Sequence, residues 1–159
     1  MAVYWDLGAV CADQAAAETF AAWFKVRPIP LSDGTSVDIK TGISALSKRA
    51  LSNQWIVWIW PEGMSYASPY GNRIDLVDTA LKTEIEAWIY DRLQECPPYI
   101  CALFGGEAYE RLLDESLEEL VEDPNDTPIG LVVDTATYQR LGQPKGFAPF
   151  ALGYWRHSG

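Results

Sequence analysis

Histidine, cysteine and positive charge are all scarce in this chain, which has one His, three Cys and twelve Lys and Arg in 159 residues. Each scarcity closes off some chemistry. The single histidine, His157, has no partner at metal-ligand or triad spacing and lies close to the last residue. It is expected in a mobile tail, a poor support for His-based acid–base catalysis. Cys11, Cys96 and Cys101 form an odd set, too sparse for the disulfide framework of a small secreted domain. Cys96 and Cys101 are spaced C-x4-C across Pro97-Pro98, yet a structural zinc needs two more soft ligands and only Cys11 and His157 remain. Free thiols and no bound cofactor are expected.

The twenty-two acids outweigh the bases to give a net charge of −10, which repels nucleic acid and anionic membrane surfaces. No apolar run approaches the roughly eighteen residues of a membrane span, and Met1 to Asp6 offers neither a basic n-region nor a clean apolar h-region. No EF-hand spacing, nucleophile motif or phosphate loop occurs. Gly105-Gly106-Glu107 is followed by no Lys-Ser/Thr, and the acidic segment it opens would repel phosphate. The chain reads as a soluble cytoplasmic protein with one domain over residues 1–159.

What is abundant is apolar and aromatic surface: 48% hydrophobic residues with seven Trp, enough to build a core and far from a disordered composition. Val3 to Val10 suits a first strand. Asp13 stands where an N-cap would, before an Ala-rich run with Phe20, Trp23 and Phe24 on one helical face. Leu31 to Thr41 reads as a hairpin about Ser32-Asp33-Gly34, and Ile43 to Leu51 has weak helical spacing. Trp55 to Trp60 is continuously apolar, as a central strand covered on both faces would be; Trp58 and Trp60 share a face and are read as core rather than as a stacking platform. A short strand is expected at Arg73 to Val77. Asp78 would cap a helix with a stripe of Leu81, Ile85, Trp88, Ile89 and Leu93. Beyond a short buried segment at Tyr99 to Phe104, a strand is expected at Ile129 to Val133, a short helix at Thr135 to Leu141, and a Pro-interrupted edge strand at Phe147 to Trp155. This order predicts an α+β fold, a mixed, mostly antiparallel sheet packed with two or three amphipathic helices.

The charge is not evenly spread. Glu107 to Asp126 holds nine acids and one base, Arg111, for a net charge of about −8, while the other 139 residues sum to about −2. At 100° per residue, Tyr109, Leu112, Leu113, Leu117, Leu120 and Val121 fall on one side of a helix. Glu107, Glu110, Asp114, Glu115, Glu118 and Glu122 fall on the other, with Glu119 beside them. Only Arg111 relieves the face, through Glu115 or Glu107. Like charges at Glu110–Asp114, Asp114–Glu118 and Glu118–Glu122 cost a few tenths of a kcal/mol each, and Glu122 and Asp123 oppose the helix dipole.

A solvated face is the plain interpretation of such a segment. The sharper expectation is a docking surface for a basic protein, such as a toxin or a nucleic-acid-active enzyme whose cationic cleft the acids would occupy. By charge and size, immunity proteins and antitoxins are the natural functional class, and the expected role is a non-enzymatic inhibitor. Tyr66, Tyr70 and Arg73, in a Tyr- and Gly-containing loop, would add contact surface. The first alternative is Ca²⁺ binding by Glu118, Glu119, Glu122, Asp123 and Asp126, weakened because a helix projects carboxylates in parallel rather than to a point. The second is an enzyme that relies on a carboxylate pair, although nothing singles one out.

Overall fold

Alternation along the long strands sets the architecture. The computed structural model describes residues 3–46, 53–62, 65–66 and 79–159. Its first half runs β1 (Val3–Cys11), α1 (Gln14–Lys25), β2 (Ile29–Pro30), β3 (Ser36–Val37), β4 (Ile39–Ala45), β5 (Trp55–Pro61) and β6 (Ser65–Tyr66). The second half runs α2 (Thr79–Leu93), β7 (Cys101–Gly106), α3 (Ala108–Asp114), α4 (Leu117–Glu122), β8 (Val132–Asp134), α5 (Thr135–Arg140), β9 (Phe147–Ala151) and β10 (Tyr154–His157). The main sheet has the order β4-β5-β1-β7-β8-β10-β9, with β6 beside the start of β1, and β2 pairs with β3 apart from it. Every described pairing is antiparallel, giving the expected α+β class.

Successive strand residues point to opposite faces. Leu7, Ala9 and Cys11 of β1, Val57 and Ile59 of β5, and Ala102 and Phe104 of β7 meet Phe20 and Phe24 of α1 and Ile85, Ile89 and Leu93 of α2. Val10, Ile56, Cys101 and Leu103 face the other way, onto Leu112, Leu117 and Leu120 of α3 and α4, with Tyr138 of α5 at the margin. The central strands β1, β5 and β7 are packed on both faces, which is why they read as near-continuous apolar runs instead of alternating. β5 lies between β4 and β1, as the sequence predicts.

Several expectations need correction. Ile43 to Ala45 belong to β4, paired with Val57 to Trp55, instead of starting a helix; the cross-strand partners override a weak helical spacing. Residues 47–51 of that expected helix, the 73–77 strand and the Asp78 cap lie outside the described residues. Tyr99 to Phe104 resolves into β7, which starts at Cys101, and β8 starts at Val132, leaving Ile129 71% exposed. The last strand is a hairpin of two. Pro149 sits on the outermost strand β9, where a missing N–H costs no ladder bond. His157 is not in a tail: it is buried in β10, with Nδ1 3.2 Å from the Pro128 carbonyl and its ring beside Phe147. A carbonyl only accepts, so Nδ1 carries the proton in that contact. Five helices are described, the acidic segment supplying two of them.

Candidate functional site

The expected helix from Glu107 to Asp126 breaks at Glu115-Ser116. Glu115 is extended (φ −104, ψ 139), and Ser116 restarts the helix as an N-cap. Its Oγ accepts from the Glu119 N–H at 3.2 Å, and the Glu119 carboxylate accepts from the Ser116 N–H at 2.7 Å, a reciprocal capping box. Glu119 thus spends its carboxylate on the backbone. The apolar stripe survives the break, with Leu112, Leu117 and Leu120 buried and Tyr109, Leu113 and Val121 packed at the margin.

α3 enters through Glu107, whose backbone is left-handed (φ 55, ψ 32) and whose side chain makes no cap. The cap comes from across the fold. Asp6 of β1, only 3% exposed, accepts from the Tyr109 N–H at 2.9 Å through Oδ1 and from the Trp58 indole N–H at 3.1 Å through Oδ2. Burial pushes the Asp6 carboxyl up to about 6, opposed by these hydrogen bonds and reinforced by Glu110. Next along β1, Gly8 lets α3 come close: a Cβ there would stand 2.9 Å from the Tyr109 Cα. α3 is therefore seated by one glycine and one buried carboxylate on the same strand.

The break divides the acids into two patches. Glu107, Glu110, Asp114 and Glu115 surround Arg111 in a shallow hollow of about 290 Å³, where Arg111 Nε pairs with Glu115 Oε1 at 3.0 Å. Glu118, Glu119 and Glu122 line a second hollow of about 510 Å³ with Arg140 of α5, whose guanidinium pairs with Glu118. The sequence-based view that only Arg111 relieves the segment misses Arg140, which is distant in the chain. Glu110, Asp114, Glu118 and Glu122 remain exposed on the surface of the packed stripe.

Among the described residues the carboxylates do not converge on a metal site: no group of three or more His, Cys, Asp or Glu side chains is placed as metal ligands would be. The Asp123 carboxylate accepts from the Asn125 N–H at 2.8 Å, so it folds its own loop instead of meeting Glu118, and Asp126 is exposed. Tyr66 lies in β6, opposite Val3 at the start of β1. Tyr70 and Arg73 lie outside the described residues.

The remaining reactive groups are muted. Cys11 and Cys101 are buried and Cys96 is half-buried; burial pushes the thiols of Cys11 and Cys96 up to about 12, so neither is a ready nucleophile. Trp58 and Trp60 stack at 5.6 Å between centroids, half-buried, with the Lys40 ammonium 5.4 Å from the Trp60 ring. Comparison with protein-family models, with curated proteins and with solved structures finds no match to the chain.

Proposed function

We propose that this is a small acidic binding protein that engages a basic protein partner through the exposed carboxylates of α3 and α4, as an inhibitor of the immunity-protein or antitoxin type. One observation carries the reading. Glu110, Asp114, Glu118 and Glu122 are exposed while Leu112, Leu117 and Leu120 beneath them are buried, so a dense negative field is held on packed backbone instead of on a loose tail. Such a field steers a cationic partner and disfavours others, and pre-organisation lowers the cost of docking. The two hollows, each with its own arginine, would give register to a partner that must match cation to carboxylate twice.

The test replaces Glu110, Asp114, Glu118 and Glu122 with Gln and compares capture by the variant and the wild type, side by side, with identification by mass spectrometry. The wild type should retain a basic protein, and the variant should retain it at least about tenfold less at low ionic strength, a difference that shrinks as salt is added. Addition of the wild-type protein should suppress the captured partner's activity. Equal capture by both proteins overturns the reading and leaves the acids as a solvated face.

A further inference from the structure

The opposite face of the sheet carries a cation in different company. Arg156 of β10 lies on the α2 side, its guanidinium carbon 3.7 Å from the centre of the Tyr90 ring and 5.7 Å from that of Phe150. Those two rings meet edge to face at 6.2 Å, and the Tyr90 hydroxyl donates to the Gly130 carbonyl at 2.9 Å, which fixes the corner. In a chain with twenty-two acids, Arg156 makes no ion pair among the described residues. It borders a cleft of about 450 Å³ with Ile129, Pro149, Phe150 and Ser158, and no Asp or Glu lines that cleft. Glu86 and Asp91 line an adjoining hollow that shares Phe150 and Arg156 with the cleft.

We propose that this cleft binds a small organic carboxylate with an aromatic or branched apolar body. The carboxylate sits on the Arg156 guanidinium, and the body lies against Phe150, Pro149 and Ile129. The volume falls within the range of small-ligand pockets, roughly 300–1,000 Å³. A guanidinium presents a planar fork of donors that fits a carboxylate, and its stacking on Tyr90 fixes that fork before any ligand arrives. Ile129, 71% exposed at the rim, is the kind of apolar side chain that a ligand body would cover. α3 and α4 pack on the other face of the sheet, and none of their carboxylates lines this cleft.

Phenylacetate is a direct probe, with phenylacetamide as its uncharged twin. Titrated into isotope-labelled protein, phenylacetate should give saturable amide shifts at Ile129, Phe150 and Arg156 in the millimolar range, and the amide should bind about tenfold more weakly or worse. Arg156→Gln should weaken phenylacetate by about tenfold and abolish the preference over the amide. Because that change also uncovers Tyr90, Ile129→Glu is the second variant: it leaves the core untouched and places a like charge at the rim, and should also weaken the acid selectively. No saturable shift up to about 10 mM, equal binding of acid and amide, or unchanged selectivity in Ile129→Glu would overturn the site.

Discussion

On one face of the sheet, α1 and α2 run twelve and fifteen residues and lay Phe20, Phe24, Ile85, Ile89 and Leu93 on the strands. On the other, α3, α4 and α5 run seven, six and six residues. Isolated helices that short do not persist in water, so the second face needs devices that the first has less use for. They are visible one by one: Asp6 caps α3 from β1, Ser116 and Glu119 box α4, and the Asp134 carboxylate accepts from the Thr137 N–H at 2.7 Å to start α5. The first face rests on apolar area and the second on polar termini, and the second is the one that displays the acids.

The largest effects should therefore come from the first face. Phe20→Ala empties a fully buried site beside Phe24 and Tyr99 and should cost about 3–5 kcal/mol in chemical denaturation. Leu117→Ala, under a six-residue helix able to settle inward, should cost about 2–3 kcal/mol. Equal costs would mean that the two cores are alike and the contrast false.

Asp6 sharpens the comparison through pH. Its carboxyl stands at about 6 in the fold against 3.8 unperturbed, so the folded state binds the proton more tightly than the unfolded chain does. The corresponding stability is fully present below 3.8 and is lost as pH rises through about 6. Between neutral pH and about pH 4, acidification should stabilise the wild type relative to Asp6→Asn by an amount on the order of 2–3 kcal/mol. Parallel stability curves for the two proteins across that window would show that Asp6 is not desolvated.

Legibility in the sequence followed the range of the forces. Trp55 to Trp60 and the stripe Leu81, Ile85, Trp88, Ile89 and Leu93 were readable because apolar burial writes its pattern locally, although β5 runs one residue further, to Pro61. The Asp13 cap, accepting from the Ala16 N–H at 2.8 Å, was readable for the same reason. The break at Ser116 was legible too, since Ser116-x-x-Glu119 is a capping box, but an apolar stripe that continues through a break masks it. Asp6 was not legible at all: Trp58 and Tyr109 lie 52 and 103 residues away, and only the sheet register brings them together. Arg140 and Glu118, 22 residues apart, and the burial of His157 depend in the same way on pairings that no local pattern encodes.

Caps should show smaller and more local effects. Ser116→Ala removes one half of the α4 box and should cost about 1 kcal/mol. Amide exchange in α4 should quicken well beyond the global change, because six residues have no interior to hold when an end frays. Asp13→Ala, with a similar global cost, should leave the middle of the longer α1 protected. Similar fraying in both helices would remove the distinction between a face held by packing and one held by caps.

The smallest effect on stability should come from the most charged surface. Replacing Glu110, Asp114, Glu118 and Glu122 with Gln removes four negative charges and the Glu118 partner of Arg140. That pair is exposed on both sides, with side chains 55% and 58% accessible, so its loss should cost no more than about 1 kcal/mol. Against it stands relief of the like-charge pairs Glu110–Asp114 and Glu118–Glu122, each worth a few tenths of a kcal/mol, and of the unfavourable charge at the end of α4. The Asp114–Glu118 pair drops out, since the break at Ser116 removes its helical spacing. The two sides nearly cancel, and the variant should lie within about half a kcal/mol of the wild type. A loss above about 1.5 kcal/mol would instead mean that Arg140 and Glu118 latch α5 to α4 and that these acids serve the fold. Near-zero change, combined with loss of partner capture, would separate what holds this face together from what it presents.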